Sequence, residues 1–206
     1  MSRINSAIQF ESGGSVCRGD LYVPDTAGRR PVIIMAHGLG GTRNMRLPAF
    51  AERFVAQGYA CLLFDYRHFG DSDGEPRQIL DIKKQLQDWK AAIKYIRGLE
   101  QADPDRVILW GTSFSGGHVL ATAAEDSRIA AVISQCPFTD GLASTLATEP
   151  LVSAKLTARA LRDRTGGQSE LSPEALQALL EERQGEEPRR PLPLPVRLSL
   201  RPRFYG

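Results

Sequence analysis

Histidine is scarce in this chain. Only His37, His68 and His118 occur, and none follows His118. That scarcity limits any chemistry that needs an imidazole as base near neutral pH. Cysteine is equally scarce. Cys17, Cys61 and Cys136 are odd in number, scattered and without metal-ligand spacing. They support neither a disulfide framework nor a metal site and read as reduced, mostly buried thiols. An excess of one charge is also missing. The 26 Lys and Arg against 24 Asp and Glu leave a net +2, without the basic stripe that a nucleic-acid partner requires. No apolar run approaches the roughly 20 residues of a membrane-spanning helix. Residues 1–12 carry no signal-peptide core. We expect a cytoplasmic protein with no membrane partner, no nucleic-acid partner, no cofactor and no metal.

Strand and helix signals alternate in this sequence, long enough at 206 residues for one domain with a sizeable core. Residues 7–11 and 16–23 flank Gly13-Gly14 and read as an antiparallel hairpin. Short apolar runs at 32–36, 59–64, 106–110 and 130–134 read as buried strands. Pro48 and Gly58 bracket a helix over 48–57. Ile79, Ile82, Leu86, Trp89, Ile93 and Ile96 step by three and four, one apolar stripe on a long helix. Another helix is expected over 114–124. The pattern is that of an α/β fold with a mostly parallel sheet. It changes after Pro137. A helix is expected over 151–161, and another opens at Ser172-Pro173, with Ser as cap and Pro at the first helical position. From residue 186 the chain turns Pro- and Arg-rich, which favours an extended, disordered run.

Three segments carry chemistry. In Trp110-Gly111-Thr112-Ser113-Phe114-Ser115-Gly116-Gly117 a strand must turn sharply into a helix, and small residues, Gly111 and Ser115, stand two places either side of Ser113. His37-Gly38-Leu39-Gly40-Gly41 follows a strand directly and leaves backbone N–H groups free. Asp65-Tyr66-Arg67-His68-Phe69-Gly70-Asp71-Ser72 forms the turn after the next strand. In this order the segments resemble the α/β-hydrolase superfamily over residues 7–140. With Pro137-Phe138-Thr139-Asp140-Gly141 they resemble its branch of dienelactone hydrolases and Xaa-Pro dipeptidyl-peptidase-like enzymes. The resemblance implies that Ser113 is the nucleophile and that the backbone N–H groups of Leu39 and Phe114 form the oxyanion hole. It implies a small ester, thioester, amide or peptide-like substrate.

The sequence departs from the family pattern in places. Ser115 stands where the elbow usually has Gly, and His68 stands where the Asp65 turn has one. About six of eight family strands are visible, so the fold expected is an α/β-hydrolase with an N-terminal antiparallel hairpin. The later Gly-x-x-Asp and Gly-His that would bring acid and base are not found. His68 is then a candidate base and Asp140 a candidate acid, while His37 braces its loop and His118 packs against the sheet. The expected organisation is a hydrolase core over 1–141, a helical segment resembling the start of a cap over 142–185, and a disordered tail over 186–206. Three readings stay open: a serine hydrolase slowed by the want of a base, a non-catalytic binding domain, or a truncated or frame-shifted product. The last strand should present an open edge, through which chains could self-associate.

Overall fold

Gly13 and Gly14, at φ 55° and 79°, turn the chain between β1 (Arg3–Ser12) and β2 (Ser15–Pro24), with Ser12 opposite Ser15. Positive φ is the region where glycine carries no Cβ penalty. The computed structural model describes residues 3–141, together with residues 151, 152, 154, 155, 157, 158 and 162, all seven helical. The chain divides into two compact units, residues 1–144 and 145–206. The expected helix at Pro173, the Pro/Arg-rich tail and most of the expected cap-like segment lie outside the described residues.

In the first unit, β3 (Arg30–Ala36), β4 (Ala60–Phe64), β5 (Ala102–Thr112) and β6 (Ile129–Gln135) join the hairpin in one sheet of order β1-β2-β4-β3-β5-β6. β1–β2 and β2–β4 run antiparallel; β4–β3, β3–β5 and β5–β6 run parallel. Side chains alternate along a strand, so one run fills two cores. Val32 and Ile34 face the layer of α2 (Ile82–Arg97) and α3 (Phe114–Glu125), among Trp89, Ile93, Ile96 and Val119. Ile33 and Met35 face α1 (Leu47–Val55), among Leu47, Ala51 and Val55. Helices on both faces of a mostly parallel sheet make the α/β architecture expected from the sequence.

β1 starts at Arg3 rather than at residue 7, α1 ends at Val55 rather than at residue 57, and α2 and β5 also differ from their expected bounds. α2 begins at Ile82 because the Asp81 side chain accepts a hydrogen bond from the Lys84 N–H at 3.1 Å, an ordinary N-cap. Ile79 therefore precedes the helix, and Ile82 is half exposed. The buried face instead contains Gln85 and Asp88 beside Trp89, Ala92, Ile93 and Ile96. β5 starts at Ala102, pairing with Arg30, and slips register before Val107 meets Val32. The charged Asp103, Asp105 and Arg106 in that first part hide it from a hydrophobicity reading.

Cys17 and Cys61 are fully buried and unbridged, whereas Cys136 is exposed. Burial pushes the Cys61 thiol up to about 12. No helix among the described residues is long and apolar enough to cross a membrane.

Candidate active site

β5 ends at Thr112 and α3 starts at Phe114, so Ser113 alone makes the strand-to-helix turn. It holds φ 55° and ψ −115°, a conformation costing an L-residue about 1–3 kcal/mol unless its surroundings enforce it. They do so through the chain after β6. The Ser113 N–H donates to the Gln135 carbonyl at 2.9 Å, and the Phe138 N–H donates to the Ser113 carbonyl at 2.9 Å. Glycine is obligatory at two neighbouring positions. A Cβ on Gly111 would lie 2.6 Å from the Ser115 carbonyl carbon. A Cβ on Gly38 would lie 2.9 Å from both the Ser113 Cβ and the Thr112 carbonyl oxygen, and 3.2 Å from the Phe114 nitrogen.

That packing brings the His37–Gly41 loop against the turn, with Leu39 one residue beyond the contact. Among the described residues no backbone carbonyl accepts from the Leu39 or Phe114 N–H. Phe114 is the first residue of α3, where the helix dipole places partial positive charge. Ser113 itself is exposed.

Ser115 stands where the elbow pattern has glycine, and the structure gives it work. It is fully buried, and its Oγ lies 2.6 Å from the Tyr66 hydroxyl. Trp89 Nε1 donates to that hydroxyl at 2.8 Å. An indole can only donate, so the Tyr66 oxygen accepts from Trp89 while it shares a further hydrogen bond with the Ser115 hydroxyl. The turn is thus tied to the end of β4 and to α2. Sequence reasoning missed Tyr66 and Trp89 here, because nothing local pairs residues so far apart in the chain.

The three histidines are all engaged. His37 Nε2 donates to the Met45 carbonyl and holds its own loop. His68, 5% exposed, donates from Nδ1 to the Pro76 carbonyl at 3.0 Å and accepts at Nε2 from Lys84 Nζ at 3.2 Å. His118 Nε2 lies 2.8 Å from Gln85 Oε1, which makes Nε2 the protonated nitrogen. Asp140 follows β6, three residues beyond Pro137, and is exposed.

Burial pulls His118 down to about 4. The unfolded chain protonates this residue near the ordinary value of about 6.5. Between the two values the unfolded state binds more protons, so stability rises with pH across that window and is lost as pH falls through it. The His118 ring resonances are therefore expected to stay flat from pH 8 to about 5, checked by an NMR titration. An inflection near the ordinary value would contradict the buried environment.

The Asp65 turn closes on itself. Ser72 Oγ donates to the Asp65 carbonyl at 2.7 Å. Asp65 accepts from the Arg43 N–H at 2.7 Å and pairs with the Arg43 guanidinium, which also reaches Asp20 at 2.9 Å and Asp71 at 2.7 Å. These bonds fix the loop from 65 to 72. A cleft of about 820 Å³ lies near Gly28, Arg30 and Glu100, at the N-terminal ends of β3 and β5 and away from Ser113. Among the described residues no group of three or more His, Cys, Asp or Glu could hold a metal.

A mixed sheet between helical layers, with a strained serine at a strand-to-helix turn, defines an α/β-hydrolase. Residues 14–193 match the X-Pro dipeptidyl-peptidase (S15) family, and the chain belongs to it. It is 65% identical over 159 residues to the quorum-quenching protein AidA of Acinetobacter baumannii (strain MDR-ZJ06), covering 77% of this chain and 52% of that protein. It is 39% identical to the thiohydrolase aneE of Aspergillus aculeatus, over 60% of this chain and 38% of that one. Among solved structures it is similar to the α/β hydrolase GrgF from Penicillium sp. sh18, with TM-score 0.66 and 29% identity, covering 88% of this chain and 67% of that chain. The chain thus spans about half the length, or less, of these two curated relatives.

Proposed function

We propose that this domain is a serine acyl-transfer site: Ser113 attacks the carbonyl of a small ester or thioester, and the Leu39 and Phe114 N–H groups stabilise the oxyanion. The strained Ser113 backbone carries this reading. A conformation that costs energy and is held from β6, the Gly38 loop and α3 persists where it presents a group for use. The relatives support the same chemistry, since one is called a thiohydrolase. The three imidazoles are engaged elsewhere, so we assign His68 a bracing role in its loop rather than that of base. Without a base the serine is a weak nucleophile and turnover is slow. The test is labelling with a fluorophosphonate followed by peptide mapping. A single adduct on Ser113 supports the reading. An unlabelled Ser113, with other serines reacting equally, overturns it.

The engaged histidines also favour a second reading, a binding domain that keeps the site without turnover. It predicts reversible ligand binding and no covalent adduct.

Self-association is proposed through β6. It ends the sheet order, and among the described residues no strand pairs with its outer side. Ile133 is 39% exposed on it. Open apolar edges recruit other strands, and an edge lysine blocks them. Ile133→Lys is expected to lower the apparent mass in light scattering. An unchanged mass would show that the edge is already covered.

A further inference from the structure

Tyr66, His118, Phe114 and Phe138 form an unbroken run of four rings. Tyr66 and His118 have centroids 6.1 Å apart at 83°. His118 and Phe114 follow at 5.0 Å and 69°, then Phe114 and Phe138 at 5.3 Å and 31°. Exposure rises along the run, from 2% at Tyr66 and 5% at His118 to 39% at Phe138. Its outer end stands beside the elbow. Phe114 is the residue after Ser113, and the Phe138 N–H holds the Ser113 carbonyl.

The geometry points to Phe138, backed by Phe114, as the wall that binds a planar aromatic group of the substrate, so that the site takes aryl esters or thioesters in preference to small aliphatic ones. This inference rests on Ser113 being the reactive serine. Aromatic pairs favour offset and edge-on contacts, worth about 0.5–1.5 kcal/mol beyond their buried area. Phe138 leaves part of its ring open to such a contact. The rings behind it reach back into the core, so little side-chain freedom remains to be lost on binding. The wall is also uncharged. Burial keeps His118 neutral at pH 7, and the other three members carry no charge there. Leu39, 70% exposed, adds an apolar residue on the neighbouring loop.

The test compares ethyl fluorophosphonates whose phosphorus carries a phenyl or a methyl substituent, with the rate of Ser113 labelling followed by intact mass. The phenyl probe is expected to react about fivefold to tenfold faster, after correction for its intrinsic reactivity, which matches the stacking range above. Phe138→Ala and Phe138→Leu are both expected to bring the ratio close to one. A ratio kept in either variant overturns the aromatic wall, and a ratio kept only in the leucine variant shows that apolar bulk alone suffices. A second arm uses Ser113→Ala and the unreactive ketone benzylacetone, with binding followed by NMR. Binding that disappears with Phe138→Ala supports the wall even if Ser113 labels with neither probe, in which case only the nucleophile reading has failed. Labelling of Ser113 without preference and without ketone binding overturns the wall and leaves the nucleophile reading standing.

Discussion

Incubated with p-nitrophenyl acetate, the 206-residue chain is expected to release p-nitrophenol slowly and to retain an acetyl group on Ser113. The two halves of the reaction ask different things of the site. Attack on an activated ester needs a positioned hydroxyl and an oxyanion hole, roles that the proposed function gives to Ser113, the Phe114 N–H and the Gly38 loop. Release of the acetyl group needs a base to deprotonate water. His68 spends both ring nitrogens on Pro76 and Lys84, and His37 and His118 each commit Nε2 to a neighbour away from Ser113. Hydrolases stripped of triad members retain about 10³–10⁴ of acceleration over water from the oxyanion hole and binding. The expected rate therefore lies that far above the uncatalysed one and well below ordinary turnover. Ser113→Ala should remove the adduct altogether. Added imidazole should shorten the life of the acetyl adduct, because it can deprotonate the attacking water. Fast multiple turnover, abolished by Ser113→Ala, would show that a group in this chain already acts as base. His68→Ala would then be the first variant to test.

Much of the fold could be read from the sequence because its strands are short apolar runs separated by Gly and Pro. Ala60–Phe64 is buried at every position, and such a run cannot be mistaken for a solvated segment. The hairpin likewise follows from Gly13-Gly14. Sequence reading fell short where polar residues do structural work. Gln85 and Asp88 sit in the buried face of α2, one holding His118 and the other Arg67. A periodicity count discards such residues and extends the stripe back to Ile79. At the site, Ser113, Gly38 and Gly111 were legible because the turn constrains residue size locally. The Ser115–Tyr66–Trp89 chain and the four-ring run were not. The first joins the turn after β4 to α2 and α3, the second joins that turn to α3 and the segment after β6, and only the packed structure brings those elements together.

Arg67→Ala is expected to be among the most destabilising single substitutions in the first unit. Arg67 and Asp88 are 4% and 0% exposed. Arg67 Nε donates to Asp88 Oδ1 at 2.7 Å, its backbone N–H donates to Oδ2 at 3.1 Å, and Nη2 donates to Ser12 Oγ at 2.8 Å. The pair thus joins β1, the Asp65 turn and α2. Removing the cation leaves a carboxylate in the core without its counter-charge, which costs about 3–5 kcal/mol. A domain of this size has only about 5–15 kcal/mol to lose. The pH dependence should report the cause. Burial already raises the Asp88 carboxyl above its usual range, against the pull of its partners. Without Arg67 it rises further, so the native variant holds a proton that the unfolded chain releases. More protons bound in the native state means that stability falls as pH rises above the ordinary Asp value of about 3.9. Urea unfolding of Arg67→Ala should therefore show a midpoint that drops as pH rises above about 4. The double variant Arg67→Met with Asp88→Leu removes both charges and should recover most of the loss, since apolar replacements of buried pairs are often neutral or better. If the single variant unfolded at the wild-type midpoint at every pH, the pair would not be holding these three elements together.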